Sequence, residues 1–473
     1  MELNPLRLLS LLAPVPVVGR LAPRDAQMYW LGRRLHNDQY LLYAFAGGDA
    51  EPAELRAFIA ERTARIADLQ LRIHDVPSHL DYPYWVRREF TDDQVLVHTL
   101  ADRSWAGVQE ALGELLEVPL DARITPWRLH VFRAVRGAPN CGDERALVAV
   151  LQVSHALADG VWSTALARAI FGPADPPDLP MRVWPVPAAA LLALGIAQLP
   201  WRFGAGLVSG VQTYRAEQEL DRATAAGELP APYPAQEPTV VNVDPGPTRS
   251  VRMVVVPAAG LRKPGVTVTV AVLDAISAAL SRYLEAATGV RPERLGAEVT
   301  VSRPYDPTNP ARNNFGNVGV ELYPDEPDSD RRAEAIGTSL AKLRERMVNP
   351  LFVRAKQVTS VLPAPAMWRD VRSLPLHTPP PTVAGNTVVS SVFRGADDLE
   401  FGGGRVRFTA GFPALSPAMA LTHGVHGIGD TVTVSIITST AVTDLDRYAE
   451  LLSEQLRAAA SVDSGKVSGP EFQ

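Results

Sequence analysis

The stretch Ala146-Leu-Val-Ala-Val-Leu-Gln-Val-Ser154-His155-Ala-Leu-Ala-Asp159-Gly160-Val-Trp-Ser-Thr-Ala-Leu-Ala-Arg-Ala-Ile-Phe171 decides how this chain is read. Its first eight residues are almost continuously apolar, without the alternation of a half-exposed strand, so they predict a strand buried on both faces. The strand delivers Ser154 and His155 at its end. A tight Ala-Leu-Ala-Asp-Gly follows, and Gly160 leads into a helix from about Val161 to Phe171, closed by Gly172-Pro173. A histidine at the end of a central strand faces a crevice, and its ordinary pKa near neutrality suits a general base. Asp159, four residues on, can fix the turn by accepting a hydrogen bond or pairing with an arginine. The plainer alternative is a buried histidine satisfied by Asp159, with Gly160 needed for the turn alone.

Working outward, residues 21–172 alternate strands and helices. Strands are predicted over Gln39 to Ala46, Tyr82 to Phe90 and Trp127 to Ala134, with one helix starting near Pro52 and another capped by Ser104. Residues 173–249 differ, with prolines clustered at both ends and a polar helical run from Gln212 to Ala226, which marks a Pro-rich, partly helical linker. Residues 250–473 repeat the α/β texture. Strands are predicted at Val251 to Val256, Glu298 to Ser302, Val318 to Tyr323, Thr387 to Phe393 and Arg405 to Phe412. A hairpin is predicted around Gly427-Ile428-Gly429-Asp430, and helices over Val268 to Ala287 and Arg331 to Val348. Thr443 with Asp446 resembles a capping box for the last helix.

The chain has 473 residues, 46% hydrophobic and 21% charged, which excludes a disordered or collagen-like protein. Its formal charge of −6 supplies no basic field, so nucleic acid is not an expected partner. A lone Cys141 excludes a disulfide framework and cysteine-based zinc sites, and fits a reducing, cytoplasmic compartment. The 42 arginines against four lysines look like GC-rich codon usage. No run of 18 uninterrupted apolar residues argues for a spanning helix. Two shorter runs, Leu6 to Val18 and Val186 to Val211, are expected to pack on the body or touch a membrane surface. No small-x-small cleavage site follows the first.

The segment Ser154-His155-x-x-x-Asp159-Gly160 resembles the His-His-x-x-x-Asp-Gly signature of coenzyme A-dependent acyltransferases and condensation domains. More narrowly, the chain is similar to the bacterial wax ester synthase/diacylglycerol acyltransferase family. Leu21-Ala-Pro-Arg-Asp-Ala-Gln-Met, Pro126-Trp127-Arg128, Val301-Ser302-Arg303, Asn314-Phe315-Gly316-Asn317 and Val389-Ser390-Ser391-Val392 keep the order of that family's blocks. Three positions depart from its pattern. Ser154 replaces the first histidine, Thr269-Val270 an Asn-Asp pair, and Ser391 an asparagine followed by prolines.

The resemblance implies an α/β fold of two chloramphenicol-acetyltransferase-like domains with mixed sheets, residues 21–172 and 250–473, behind an apolar segment 1–20. It implies acyl transfer from acyl-CoA, as co-substrate and with no permanent cofactor, to diacylglycerol or a long-chain alcohol, at a site between the halves. His155 is the expected base. Asp159 is expected to pair with an arginine, for which Arg303 is the candidate. Ser154, Ser390 and Ser391 are candidate oxyanion donors, Asn317 a shaping residue beside Gly316, and Trp127 a core or channel residue. Arg331 and Arg332 are candidates for facing coenzyme A phosphates. His423 and His426, three apart in a strand, point to opposite faces and do not suggest a shared metal. Lipid substrates make the apolar runs candidate contacts with the inner membrane face or a lipid droplet. A non-catalytic lipid-binding relative or partner subunit, and transfer from a carrier-protein thioester, are the alternatives.

Overall fold

The computed structural model describes residues 12–176, 180–304, 306–356, 362–376 and 380–461. The first half of the Leu6 to Val18 run lies outside these residues. Among the described residues, two six-stranded mixed sheets and one small, four-stranded sheet organise the chain. The first large sheet centres on β2 (Gln39–Ala46) and β7 (Ala146–Val153), paired antiparallel in full register from Gln39↔Val153 to Ala46↔Ala146. β6 (Trp127–Val135) and β5 (Val95–His98) extend it on one side. All eight residues of β7 are buried, as a strand covered on both faces requires.

The second large sheet runs β11 (Phe315–Glu321), β10 (Gly296–Ser302), β12 (Thr387–Phe393), β15 (Leu421–Ile428), β16 (Thr431–Thr438) and β9 (Ser250–Pro257). Its three central strands, β10, β12 and β15, are parallel. The small sheet joins β3 (Leu71–His74), β4 (Tyr84–Arg87), β1 (Pro14–Arg20) and β8 (Trp184–Pro187).

Among the described residues, ten helices accompany these sheets: α1 (Pro23–Gly32), α2 (Pro52–Thr63), α3 (Trp105–Leu116), α4 (Gly160–Phe171), α5 (Ala188–Ala225), α6 (Val268–Thr288), α7 (Ser329–Val348), α8 (Pro350–Ala355), α9 (Ala364–Ser373) and α10 (Leu445–Ser461). Their ends follow local chemistry. Ser104 caps α3 by accepting from the Gly107 N–H, and Thr267 caps α6 through the Val270 N–H. Gly289, left-handed at φ 75°, closes α6. The last helix is capped by Asp444, which accepts from the Arg447 N–H, and not by the expected Thr443–Asp446 box.

The expected division at residues 172 and 250 follows the chain but not the sheets. β13 (Glu400–Phe401) and β14 (Gly404–Gly411) leave the second half and pair with β2, completing the first sheet. Gly404 permits this, because any Cβ there would collide with the Ala46 carbonyl oxygen. A core of its own then joins the halves: Leu42, Phe132 and Val148 pack with Val251, Phe408 and Ile437. Cys141, expected in a polar turn, is buried in this same core. About half of the expected linker is one 38-residue helix, α5, which continues through Pro200.

Candidate active site

β7 ends where Pro126 and Val153 fix the chain, and the Ser154 N–H donates to the Pro126 carbonyl at 2.8 Å. The next residues turn tightly, with the Leu157 N–H donating to the Ser154 carbonyl, and bring Asp159 to the head of α4. One oxygen of Asp159, Oδ1, accepts from the Val161 and Trp162 N–H groups at 3.1 and 2.9 Å, the geometry of an N-cap. The other, Oδ2, accepts from the Asn314 N–H at 2.9 Å. These backbone donors take the place of Arg303. Asp159 has no ion pair among the described residues, and Arg303 instead lines a cavity of the second half. The expected Asp159–Arg303 pair is therefore corrected: the helix end supplies fixed N–H groups that a carboxylate accepts without an arginine.

Loop residues 312–314, entering β11, are held by a second carboxylate. Asp25, in the first turn of α1, accepts from the Arg312 and Asn313 N–H groups at 3.1 Å and from Asn313 Nδ2 at 2.8 Å. The Arg312 guanidinium pairs with Asp68 at 2.7 Å. Three aspartates of the first half, Asp25, Asp68 and Asp159, thus clamp three consecutive residues of the second.

The clamp positions the histidine. His155 Nδ1 lies 2.7 Å from Asn313 Oδ1. Nδ2 of the same amide donates to Asp25 and, at 2.8 Å, to the His155 carbonyl, so its oxygen is the atom left facing the ring. An amide oxygen only accepts, so Nδ1 carries the proton and Nε2 the lone pair. The Gln39 side-chain amide stands 3.3 Å from Nε2, itself held by the Ala158 carbonyl and the Ser163 hydroxyl. Phe315 stacks on the imidazole with ring centroids 5.4 Å apart. Burial lowers the His155 pKa, opposed by the Asn313 hydrogen bond and the Asp159 charge, which keeps the ring neutral at physiological pH. Burial pushes Asp25 up to about 6, opposed by its Asn313 and Arg312 donors.

A cavity of about 1720 Å³ opens in the second half; Val392, in its wall, faces the Gly160 turn that follows the histidine, and His155 itself is not among its lining residues. Its wall includes Thr269, Arg303, Arg344, Ser391, Val392 and Val425, all of the second half. It meets the first half at Gly160, where a Cβ would lie 3.2 Å from Val392 Cγ2. Ser391 lines it and bonds the Thr269 hydroxyl at 2.8 Å, so two of the three departures from the family pattern meet at one spot.

The remaining expected site residues lie elsewhere. Ser390 is outside the cavity lining. Asn317 binds Glu298 at the exposed β10–β11 edge. Trp127 is fully buried, its indole N–H donating to the Leu69 carbonyl at 2.8 Å, a core residue and not a channel wall. Arg332 is buried against Asp274 at 2.7 Å and cannot face a phosphate. His423 bonds Thr387 and Tyr448, while His426 packs against Gly411. Among the described residues, no three His, Cys, Asp or Glu side chains converge to hold a metal.

Two sheets sharing a strand exchange, with a His-x-x-x-Asp-Gly turn at their junction, define the two-lobed acyltransferase fold. The chain matches the wax ester synthase/diacylglycerol acyltransferase catalytic domain over residues 21–276 and the C-terminal domain of the same family over residues 312–459. It belongs to that family and is an acyltransferase with acyl-CoA as co-substrate. The fold is similar to that of the wax ester synthase/diacylglycerol acyltransferase from Marinobacter aquaeolei VT8. That match has a TM-score of 0.60 and 17% identity, over 93% of this chain and 98% of that one. It is also similar to the starter condensation domain of rhizomide synthetase, solved with C8-CoA and Leu-SNAC, at TM-score 0.54 and 14% identity over 94% of each chain.

Proposed function

We propose that the acceptor is a lipid alcohol, either diacylglycerol or a long-chain alcohol, and that His155 is the base. The observation that carries this reading is the His155–Asn313 hydrogen bond, which leaves the lone pair of a neutral imidazole on Nε2. The hydroxyl displaces the long Gln39 contact and gives its proton to Nε2 as its oxygen attacks the thioester carbonyl. The C–S bond then breaks, and the same proton goes to the departing thiolate. No covalent intermediate is required, and Cys141 is buried with its thiol pKa raised by burial. The Thr269–Ser391 hydroxyl pair shares one proton between its oxygens and keeps a second to offer the oxyanion.

The membrane surface supplies such an alcohol. Along α5, Leu194, Ile196, Trp201, Phe203, Leu207 and Val208 are exposed, Trp201 by 80%. This helix is long and apolar enough to cross a bilayer, with a mean hydropathy of 1.3 over its most apolar 18 residues. Its start packs on the small sheet through Ala188 and Leu191, which favours lying in the interface on the cytoplasmic side. Burying one large apolar side chain is worth about 1.5–3 kcal/mol, so a few suffice for reversible binding.

Labelled palmitoyl-CoA incubated with diacylglycerol or hexadecanol tests the reading. Labelled triacylglycerol or wax ester is expected. No ester with any lipid alcohol, while CoA binding persists, overturns it.

A further inference from the structure

The second-half cavity carries four cationic side chains: Arg262, Lys263, Arg303 and Arg344. Two are matched by carboxylates, Arg262 by Asp430 at 3.3 Å and Lys263 by Asp330 at 2.7 Å. The cavity's other acid, Asp397, pairs with Arg405 at 3.2 Å. Among the described residues, the guanidiniums of Arg303 and Arg344 have neither an ion pair nor a hydrogen bond. They bear on one stretch of wall. A Cβ on Gly316 would lie 3.5 Å from Arg303 Nη2 and 3.0 Å from Met347 Cε, and Met347 is one turn beyond Arg344 on the same face of α7. Arg24 stands close behind, 5.2 Å over the Phe315 ring that stacks on His155.

We propose that Arg303 and Arg344 form an anion subsite that holds the phosphates of the thioester donor, with Arg24 adding positive potential between that subsite and His155. Two guanidiniums left without carboxylates in one cavity wall call for an anion with several oxygens. A phosphate accepts their forked N–H groups bidentately. The cavity exceeds the roughly 300–1,000 Å³ typical of small-ligand pockets, leaving room for a nucleotide-bearing donor. Burial lowers the pKa of both arginines, and that of Arg24 falls through burial and through Arg303 beside it, a field that a bound dianion relieves. The subsite rests on the acyl-CoA reading. A carrier protein's phosphopantetheine offers the same phosphate chemistry.

Calorimetric binding of CoA to the full chain tests this without turnover. R303Q/R344Q is expected to weaken CoA binding at least tenfold and to remove much of its salt dependence. R303K/R344K is expected to keep an intermediate affinity and that salt dependence. Competition by adenosine 3′,5′-bisphosphate assigns the subsite to CoA's own phosphates, whereas competition by 4′-phosphopantetheine alone assigns it to a carrier. Unchanged CoA affinity in R303Q/R344Q, or loss as complete in R303K/R344K, overturns the proposal. If CoA binding follows the arginines but no alcohol is acylated, the acceptor reading falls and the subsite stands. If alcohols are acylated while CoA binding ignores the arginines, the subsite alone falls.

Discussion

Nδ1 of His155 lies 2.7 Å from Oδ1 of Asn313, a residue 158 positions away in the other half of the chain. The bond crosses the junction of the halves, so the histidine becomes a base with a defined lone pair only when the halves are assembled. Asp25 completes the arrangement by orienting the amide from behind.

Asn313→Leu keeps the volume and removes the acceptor. The ring then loses its fixed tautomer, and kcat is expected to fall at least tenfold with a smaller change in KM, a difference that steady-state kinetics reads. Asp25 also loses its side-chain donor, so the variant is expected to lose about 1–3 kcal/mol of stability by denaturant titration. Unchanged kcat would remove Asn313 from the site.

Asp25 titrates between its unfolded value of 3.8 and about 6 in the fold. The native state binds more protons across that window, so this group's stabilisation is present below pH 3.8 and is lost as pH rises through about 6. Asp25→Asn removes the titration. The melting temperature of this variant relative to wild type is expected to be more favourable at pH 7.5 than at pH 4.5. A difference that ignores pH would contradict the shift. His155 works the other way: its pKa is lowered, so its contribution is present above the ordinary value of 6.5 and lost as pH falls through the folded value.

Gly404→Ala places a methyl against the Ala46 carbonyl and forces β14 away from β2. Overpacking of this kind costs about 1–3 kcal/mol. A thermal melt should show the loss in one transition, because the shared core unfolds with both sheets.

Trp201→Glu and Leu207→Glu together put charge on the exposed face of α5. Co-sedimentation with anionic vesicles is expected to fall severalfold, with the melting temperature unchanged because neither side chain is buried. Equal sedimentation would leave α5 without a membrane role.

The strands β2, β7 and β12 were legible to the residue, since long apolar runs between turn signals leave little choice of boundary. β1, β3 and β8 were not predicted, because strands of four to seven residues in a small sheet carry too short a pattern, and prolines at 14, 16, 185 and 187 argue locally against them. Pro200 and nearby glycines likewise hid the length of α5, whose solvent-facing turns tolerate them. His155, Asp159 and Gly160 stand out because they are contiguous. Asp25 and Asn313 were not singled out, although Asp25 lies in the Leu21–Met28 block and Asn313 immediately precedes the Asn314-Phe315-Gly316-Asn317 block. Their role exists only where the two segments meet. The Arg303 pairing failed for the complementary reason: the partners of Asp159 are backbone N–H groups, which no side-chain pattern records.

The central claim is that His155 Nε2 takes the acceptor's proton. The initial rate of ester formation from palmitoyl-CoA, compared between wild type and His155→Ala at saturating substrate and pH 7.5, tests it most directly. A fall of about 10²–10⁴-fold with the fold retained is predicted. Ester formation at the wild-type rate in the variant would contradict it.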